Sequence, residues 1–325
     1  MCTAVTYQTK DFYFGRTLDH TISYAEEVTI TPQNFPLAFR HQPTLEHHYA
    51  MIGMAHVIED YPLYFDAVNE RGLAAAGLNF VDYACYHRPT DTGDNVAHFE
   101  LIPWLLARCA SVEEVRQAVA RLNITDDRFN GDLPPAYLHW MVADSREALV
   151  LESVREGLRI YHNPVGVLTN NPPFDRQLFR LNDFRGISPR TPENRFAPGL
   201  ELQDYSYGMG AMGLPGDLSS QSRFVRAAFT RLHSVSGASE SESVNQFFHI
   251  LGAVSQPRGS CDTGDGFEVT QYTSCCNTDK GIYYYTTYEN SQITAVDMHR
   301  VSKNKETVTA FPLLRSQQIR WEACP

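Results

Sequence analysis

The stretch MCTAVTYQTKDFYFGRTLDH at the head of the chain constrains the fold more than any other. Residues 2–8, with Cys2, Ala4 and Tyr7, alternate and mix β-branched with aromatic types, as a strand does. Thr9-Lys10-Asp11 reads as a turn, and Phe12–Arg16 resumes a strand. Chain ends usually fray, but an end that opens a hairpin is held in a sheet. Cys2 is therefore expected to be rigid.

Strand-length apolar runs recur along the rest of the chain. Met51–Val57 and Gly72–Phe80 are two of them. Tyr137–Ala143, Ala148–Leu151 and Leu158–Tyr161 read as a three-stranded meander with a turn at Ser145-Arg146, and Gln271–Cys276, Gly281–Tyr288 and Gln292–Asp297 form a last strand group. Helices interrupt these blocks. Ser111-Val-Glu-Glu114 is a capping box, followed at helical spacing by Val112, Val115, Val119 and Leu122. Ser222–Leu232 and Val244–Leu251 also read as helices, the second with Val244, Phe247, Phe248 and Leu251 on one face. Strand blocks interleaved with helix pairs predict an α+β fold of two mostly antiparallel sheets between helical layers. Between about 175 and 215 the pattern dissolves into Asn, Pro, Gly and Arg, which predicts an assembly or lid segment.

The 325 residues are expected to form one domain, 1–325, with a sizeable core. A net charge of −11 argues against general nucleic-acid binding, which needs a basic surface. It supplies no long-range pull on an anionic substrate, so local arginines and an apolar pocket would have to recognise one. No apolar run is long enough to span a bilayer, and no signal peptide is visible. The seven cysteines, at 2, 85, 109, 261, 275, 276 and 324, are odd in number and irregularly spaced. They point to a reduced, cytoplasmic protein in which most cysteines are small buried hydrophobes.

Several motifs fall to plainer readings. Gly208-Met-Gly210-Ala-Met-Gly213 matches a dinucleotide fingerprint, but the Leu214-Pro215-Gly216 that follows blocks the required helix. Asp262-Thr263-Gly264 resembles half of an aspartic protease site; with no second copy it reads as a turn. Glu46-His47-His48 holds three metal-ligating residue types, yet adjacent histidines on a strand face opposite ways and no second cluster has ligand spacing. Cys275 and Cys276 likewise point apart.

Cys2 carries more chemistry. The initiator methionine is normally trimmed before a small residue, and trimming would expose an α-amine on the same residue as the thiol. A free thiol titrates near ~8.5 and an α-amine at about 7.7–8.0, so proton exchange between them is cheap. A terminal amine can then act as the base that activates its own nucleophile, with no histidine. From position alone, the plainer reading is favoured: Cys2 is simply the second residue of a strand.

Other segments complete the pattern: MCT at the start, FGRTLD at 14–19, NERGLAAAGLNF at 69–80, LHWMVAD at 138–144, GVLTNNPPFD at 166–175, GLPGDLSSQSRFVRAAF at 213–229, and QYTSC with GIYYYTTYEN at 271–290. Together, from residue 1 to about 298, they resemble the choloylglycine hydrolase family of N-terminal nucleophile hydrolases, which holds bile salt hydrolases and penicillin V acylases. The resemblance implies a four-layer αββα sandwich and a homotetramer. It implies Cys2 as nucleophile with its freed amine as base, Asp19 holding that amine, and Arg16 beside the sulfur. Asn79 and Asn170 would form the oxyanion hole, and Arg223 would complete the charged cluster. The Thr-Asn order makes Asn170, rather than Asn171, the match. Leu18, Ile22, Tyr24 and Phe65 become candidate pocket residues for a conjugated bile salt. No metal, organic cofactor, nucleic acid or membrane enters.

These roles make chemical sense: an arginine near sulfur stabilises thiolate, and amide donors stabilise the oxyanion of amide hydrolysis. Taken singly, Asn79 and Asn170 could be strand-end turn residues, Asp19 a hairpin partner, and Arg16 and Arg223 surface charges. Asparagine at 79, where relatives acting on penicillin V often hold tyrosine, favours bile salts. The competing readings are a penicillin V acylase or other N-acyl amidase of the same fold, and a silent protein that binds bile salts or lipids.

Overall fold

The opening hairpin forms, and its second strand runs further than expected. In a computed structural model that describes residues 1–302 and 304–322, β1 (Cys2–Gln8) pairs antiparallel with β2 (Phe12–His20), placing Cys2 opposite Leu18 and Ala4 opposite Arg16. Cys324 lies outside the described residues. The chain continues through β3 (Glu27–Thr31), β4 (Met51–Ile58), β5 (Tyr61–Asn69) and β6 (Ala74–Asn79). The short strands β7 (Asp94–Ala97) and β8 (Leu122–Thr125) bracket helices α1 (Leu101–Arg108) and α2 (Val112–Ala118). The expected meander follows as β9 (Leu138–Ala143), β10 (Ala148–Val154) and β11 (Gly157–His162). Then come the two-residue β12 (Val167–Leu168), α3 (Phe174–Arg180), α4 (Ser220–His233) and α5 (Glu240–Gly252). β13 (Val269–Asn277), β14 (Ile282–Thr287), β15 (Thr294–Asp297) and β16 (Thr309–Pro312) close the chain.

Two large sheets result. One has the order β12-β1-β2-β13-β14-β15, the other β11-β10-β9-β6-β5-β4-β3-β16. The two-residue period of a strand sorts the second sheet into two cores. Ile52, Met54, Val68, Ala74, Ala76, Met141 and Val150 face the first sheet, while Met51, Ala67, Ala75, Trp140, Val142 and Leu149 face α1 and α2. On the far side α4 and α5 pack on β1, β2 and β13. The layers therefore run helix, sheet, sheet, helix, as expected of the four-layer αββα sandwich. The first six residues of β1 and the first eight of β2 are buried, because both faces of that sheet are covered.

Three expectations need correction. The helix after Ser111 ends at Ala118; Val119 begins a single 3₁₀ turn, and Leu122, although at helical spacing, opens β8. Ser111 caps that helix by accepting the Glu114 N–H, but the Glu114 carboxylate takes the Ala110 N–H, so the box closes one residue early. The irregular segment begins after α3, not at 175: Phe174 and Gln177 bury one face of that helix.

Candidate active site

Sheet register brings distant residues to Cys2. β12 pairs antiparallel with β1, Leu168 opposite Ala4. Carried two residues on, the same register sets Asn170 beside Cys2. The Cys2 N–H donates to Asn170 Oδ1 at 2.8 Å, and Asn170 Nδ2 donates to the carbonyl of Asn79, the last residue of β6, at 2.8 Å. Asn171 turns away and donates to the Val81 carbonyl, so Asn170 is the asparagine brought to Cys2. The Asn79 side chain is exposed and lines a cavity above Cys2.

Arg223 comes from the first turn of α4, the helix that packs on β1. Its guanidinium donates to the Cys2 carbonyl at 2.6 Å, Thr3 Oγ1 at 2.7 Å, Asn170 Oδ1 at 2.7 Å and the Leu218 carbonyl at 2.9 Å. Burial lowers its pKa, against the pull of Asp19 and Cys2. Asp19, also buried, accepts from Thr270 Oγ1 at 2.7 Å and Thr17 Oγ1 at 3.1 Å. Burial holds its carboxyl above the ordinary range, while Arg223, the chain-terminal amine and the two threonines pull it down.

Arg16 lies wholly buried between the sheets and donates to the carbonyls of Phe65, at 3.1 Å, and Gly77. Its Nη2 has no protein partner among the described residues. Burial opposes its charge, but Cys2, Tyr272, Asp66 and Asp19 outweigh that and raise its pKa. Asp66 lies beneath, accepting from the hydroxyls of Tyr272 at 2.7 Å, Tyr283 at 2.7 Å and Ser274 at 3.0 Å. Met1 is present in this chain, its amine paired with Glu268 at 2.7 Å.

The cavity holds about 400 Å³. Cys2, Arg16, Asp19 and Asn79 lie at its polar end, and Tyr64, Phe99, Phe129, Leu133 and Pro134 are among its walls. A thiol is thus set, with buried cations and amides around it, at one end of a largely apolar chamber.

Residues 2–309 match the model of the linear amide C-N hydrolases, choloylglycine hydrolase family. The chain belongs to that family. Among its relatives is a bile salt hydrolase/transferase of Lactiplantibacillus plantarum, 54% identical over 319 residues that cover 98% of each chain. Another, from Clostridium perfringens, is 39% identical over 98% of this chain and 99% of its own. A crystal structure of a conjugated bile acid hydrolase from Clostridium perfringens superposes with a TM-score of 0.91 at 35% identity, covering 99% of both chains. A penicillin V acylase from Agrobacterium tumefaciens shares the fold alone, with a TM-score of 0.75 at 21% identity over 96% of this chain and 91% of its own.

In this choloylglycine hydrolase family member, three of the four pocket candidates, Leu18, Tyr24 and Phe65, line the cavity. Ile22 does not; it is 59% exposed beyond the end of β2. The wall at 129–136 carried no expectation, although Asn130-Gly131 and Pro134-Pro135 between Phe129 and Tyr137 mark a loop. Of the discounted motifs, His47 meets Asn34, and the ring nitrogens of His48 meet the carbonyls of Phe35 and Tyr49. Asp262 makes a turn, accepting the Gly264 N–H. Gly208 has φ +84° and leads into a single 3₁₀ turn.

Proposed function

We propose that the chain hydrolyses the amide bond of glycine- or taurine-conjugated bile salts, with Cys2 as nucleophile once Met1 has been removed. One observation carries the reading: a buried Cys2, tied through its backbone to Asn170 and Arg223, at the end of an apolar cavity of about 400 Å³. That volume suits a small, rigid apolar ligand. The activity named for its relatives, one of them 54% identical, supplies the substrate class.

The freed α-amine of Cys2, held by Asp19, takes the thiol proton as sulfur attacks the amide carbonyl carbon. Arg16 supplies the positive charge that favours thiolate. Asn79 and Asn170 donate to the oxyanion of the tetrahedral intermediate. Collapse breaks the C–N bond, the protonated amine gives its proton to the departing glycine or taurine, and a thioester remains. Water, activated by the same amine, releases the bile acid and the thiol. The whole chain works as one domain in this reading.

Replacement of Cys2 by Ala is the direct test. It should abolish glycine release from glycocholate while circular dichroism stays unchanged; full activity would reject the mechanism. Intact mass of the active protein should lack Met1. Penicillin V acylase activity rests on a likeness of fold alone, so taurocholate should be cleaved far faster than phenoxymethylpenicillin. A silent binding protein would form no thioester during turnover.

We further propose a cytoplasmic homotetramer. The six described cysteines are all unpaired, which supports a reducing compartment. The irregular segment after α3 exposes Phe196, Leu202, Tyr205, Tyr207 and Met212, and such a patch supports subunit contact. No helix among the described residues is long and apolar enough to cross a membrane.

A further inference from the structure

His139 sits on β9, fully buried, in the LHWMVAD stretch that the mechanism above leaves unused. Its ring is held on three sides. Nε2 meets the Thr169 carbonyl at 2.9 Å, and Nδ1 meets Glu152 Oε1 at 3.1 Å. One face stacks on Phe80, with centroids 4.3 Å apart and planes within 5° of parallel. Thr169 precedes Asn170, and Phe80 follows Asn79. One imidazole thus touches the chain neighbours of both asparagines.

The donor count fixes more. A carbonyl only accepts, so Nε2 carries a hydrogen. Glu152 Oε1 also accepts the Phe174 N–H at 2.9 Å, so the pair grips both ends of the 169–174 loop. The Nδ1–Oε1 contact then shares one proton between ring and carboxyl. Gln177 and Ser220 complete the cradle: Gln177 Nε2 donates to the Asn170 carbonyl at 3.2 Å, and the Asn170 N–H donates to Ser220 Oγ at 2.8 Å. A buried pair of this kind is a poor source of stability compared with apolar packing. What it does supply here is fixed geometry, from beneath, between two segments whose tips are also joined by the bonds of Asn170 to Asn79 and of Asn171 to Val81.

We propose that His139, paired with Glu152, is a positioning residue that sets the spacing between Asn79 and Asn170. The inference rests on the reading of those two as oxyanion donors. It adds to that reading the part that holds them in register.

The test is steady-state kinetics of the mature full-length enzyme on glycocholate, each kcat corrected for the fraction of Cys2 that iodoacetamide titrates. The double variant His139→Phe/Glu152→Gln keeps the stack on Phe80, removes the shared proton and leaves an acceptor for Phe174. Its kcat should fall roughly 10- to 100-fold with KM changed less than about threefold, the signature of misplaced transition-state groups. His139→Gln, which keeps a hydrogen for Thr169, should recover most of that loss. Added to Asn170→Ala, the double variant should lower kcat no further than about threefold, because it acts through Asn170. Packing damage would instead multiply the two losses.

A double variant with undiminished kcat, or losses that multiply, overturns the proposal. If the double variant does not accumulate, His139→Asn and His139→Gln replace it. The first keeps a hydrogen for Glu152 and the second one for Thr169, so equal kcat in both overturns it as well. An Asn170→Ala enzyme with full kcat would overturn the oxyanion reading and this inference together. Unaltered turnover confined to the His139 variants would leave that reading standing.

Discussion

Asn170 Oδ1 accepts two hydrogen bonds, from the Cys2 N–H at 2.8 Å and from Arg223 at 2.7 Å. With the oxygen taken twice, the orientation of the amide is settled, and Nδ2 faces the Asn79 carbonyl. Nδ2 has two hydrogens and spends one there, which leaves one for an oxyanion. Asn170→Asp keeps the acceptor for Cys2 and Arg223 but removes the donor. Its kcat for glycine release should fall about 10²- to 10³-fold, the usual cost of one oxyanion donor. Its thermal midpoint should fall less than that of Asn170→Ala, because Asp loses the bond to the Asn79 carbonyl but keeps the acceptor for Cys2 and Arg223, whereas Ala loses all three. An Asp variant with parental kcat would remove Asn170 from the oxyanion hole.

Arg16 and Asp66 form a buried charge system under Cys2. Burial raises the Asp66 carboxyl, and Arg16 is the chief influence pulling it back. Arg16→Met should therefore push that carboxyl further up. A carboxyl raised in the folded state penalises folding in full above its folded pKa, and the penalty fades as pH falls from there toward the unfolded pKa. The variant should lose roughly 3 kcal/mol near ~pH 7.5 and distinctly less near ~pH 5. Urea unfolding at the two pH values measures this; an equal loss at both would show that Asp66 does not depend on Arg16.

The strand period exposed the meander of β9–β11 because its turn is plain: Asp144 Oδ1 accepts the N–H groups of both Arg146 and Glu147. β5 stayed hidden because it buries an acid. Asp66 breaks the apolar alternation, and its partners Tyr272, Ser274 and Tyr283 lie more than 200 residues away. Arg16 has the same difficulty, since a charged strand residue reads as a solvated one until the second sheet is laid over it. α3 was masked by Pro172 and Pro173 at its start. Asn170 was reachable only through family resemblance, because β12 has two residues and shows no period, and its partner Cys2 is 168 positions away. The cavity wall at 129–136 follows no period either.

His98 ties that wall to the core. Its Nε2 accepts the Ala136 N–H at 3.2 Å, and its ring stacks on Tyr86. Burial lowers its pKa from 6.5 to about 4. The folded state therefore favours the neutral ring. Its contribution is fully present above pH 6.5 and is lost as pH falls toward about 4. The difference is on the order of 3 kcal/mol. In His98→Phe, which keeps the stack, stability should fall less steeply over that window than in the parent. Unfolding free energies measured across it should differ in slope; parallel curves would mean that His98 titrates alike in both states.

Phe65 and Ile22 separate the cavity from its surroundings. Phe65 lines the chamber and packs against Tyr24, centroids 5.7 Å apart, whereas Ile22 stands 59% exposed and lines none of it. Arg16 binds the Phe65 backbone carbonyl, so truncating the ring spares that contact. A steroid seated in the chamber would bury the ring, and full burial of such a side chain is worth about 1.5–3 kcal/mol. Because the ring carries no polar group that could answer the charge developing at the breaking bond, it should stabilise ground state and transition state alike. Phe65→Ala should then raise KM for glycocholate about tenfold or more with kcat little changed, and Ile22→Ala should shift KM less than about twofold. Steady-state kinetics on both variants checks this. A large KM effect at Ile22 with none at Phe65 would move the steroid out of the chamber and onto the segment joining β2 to β3.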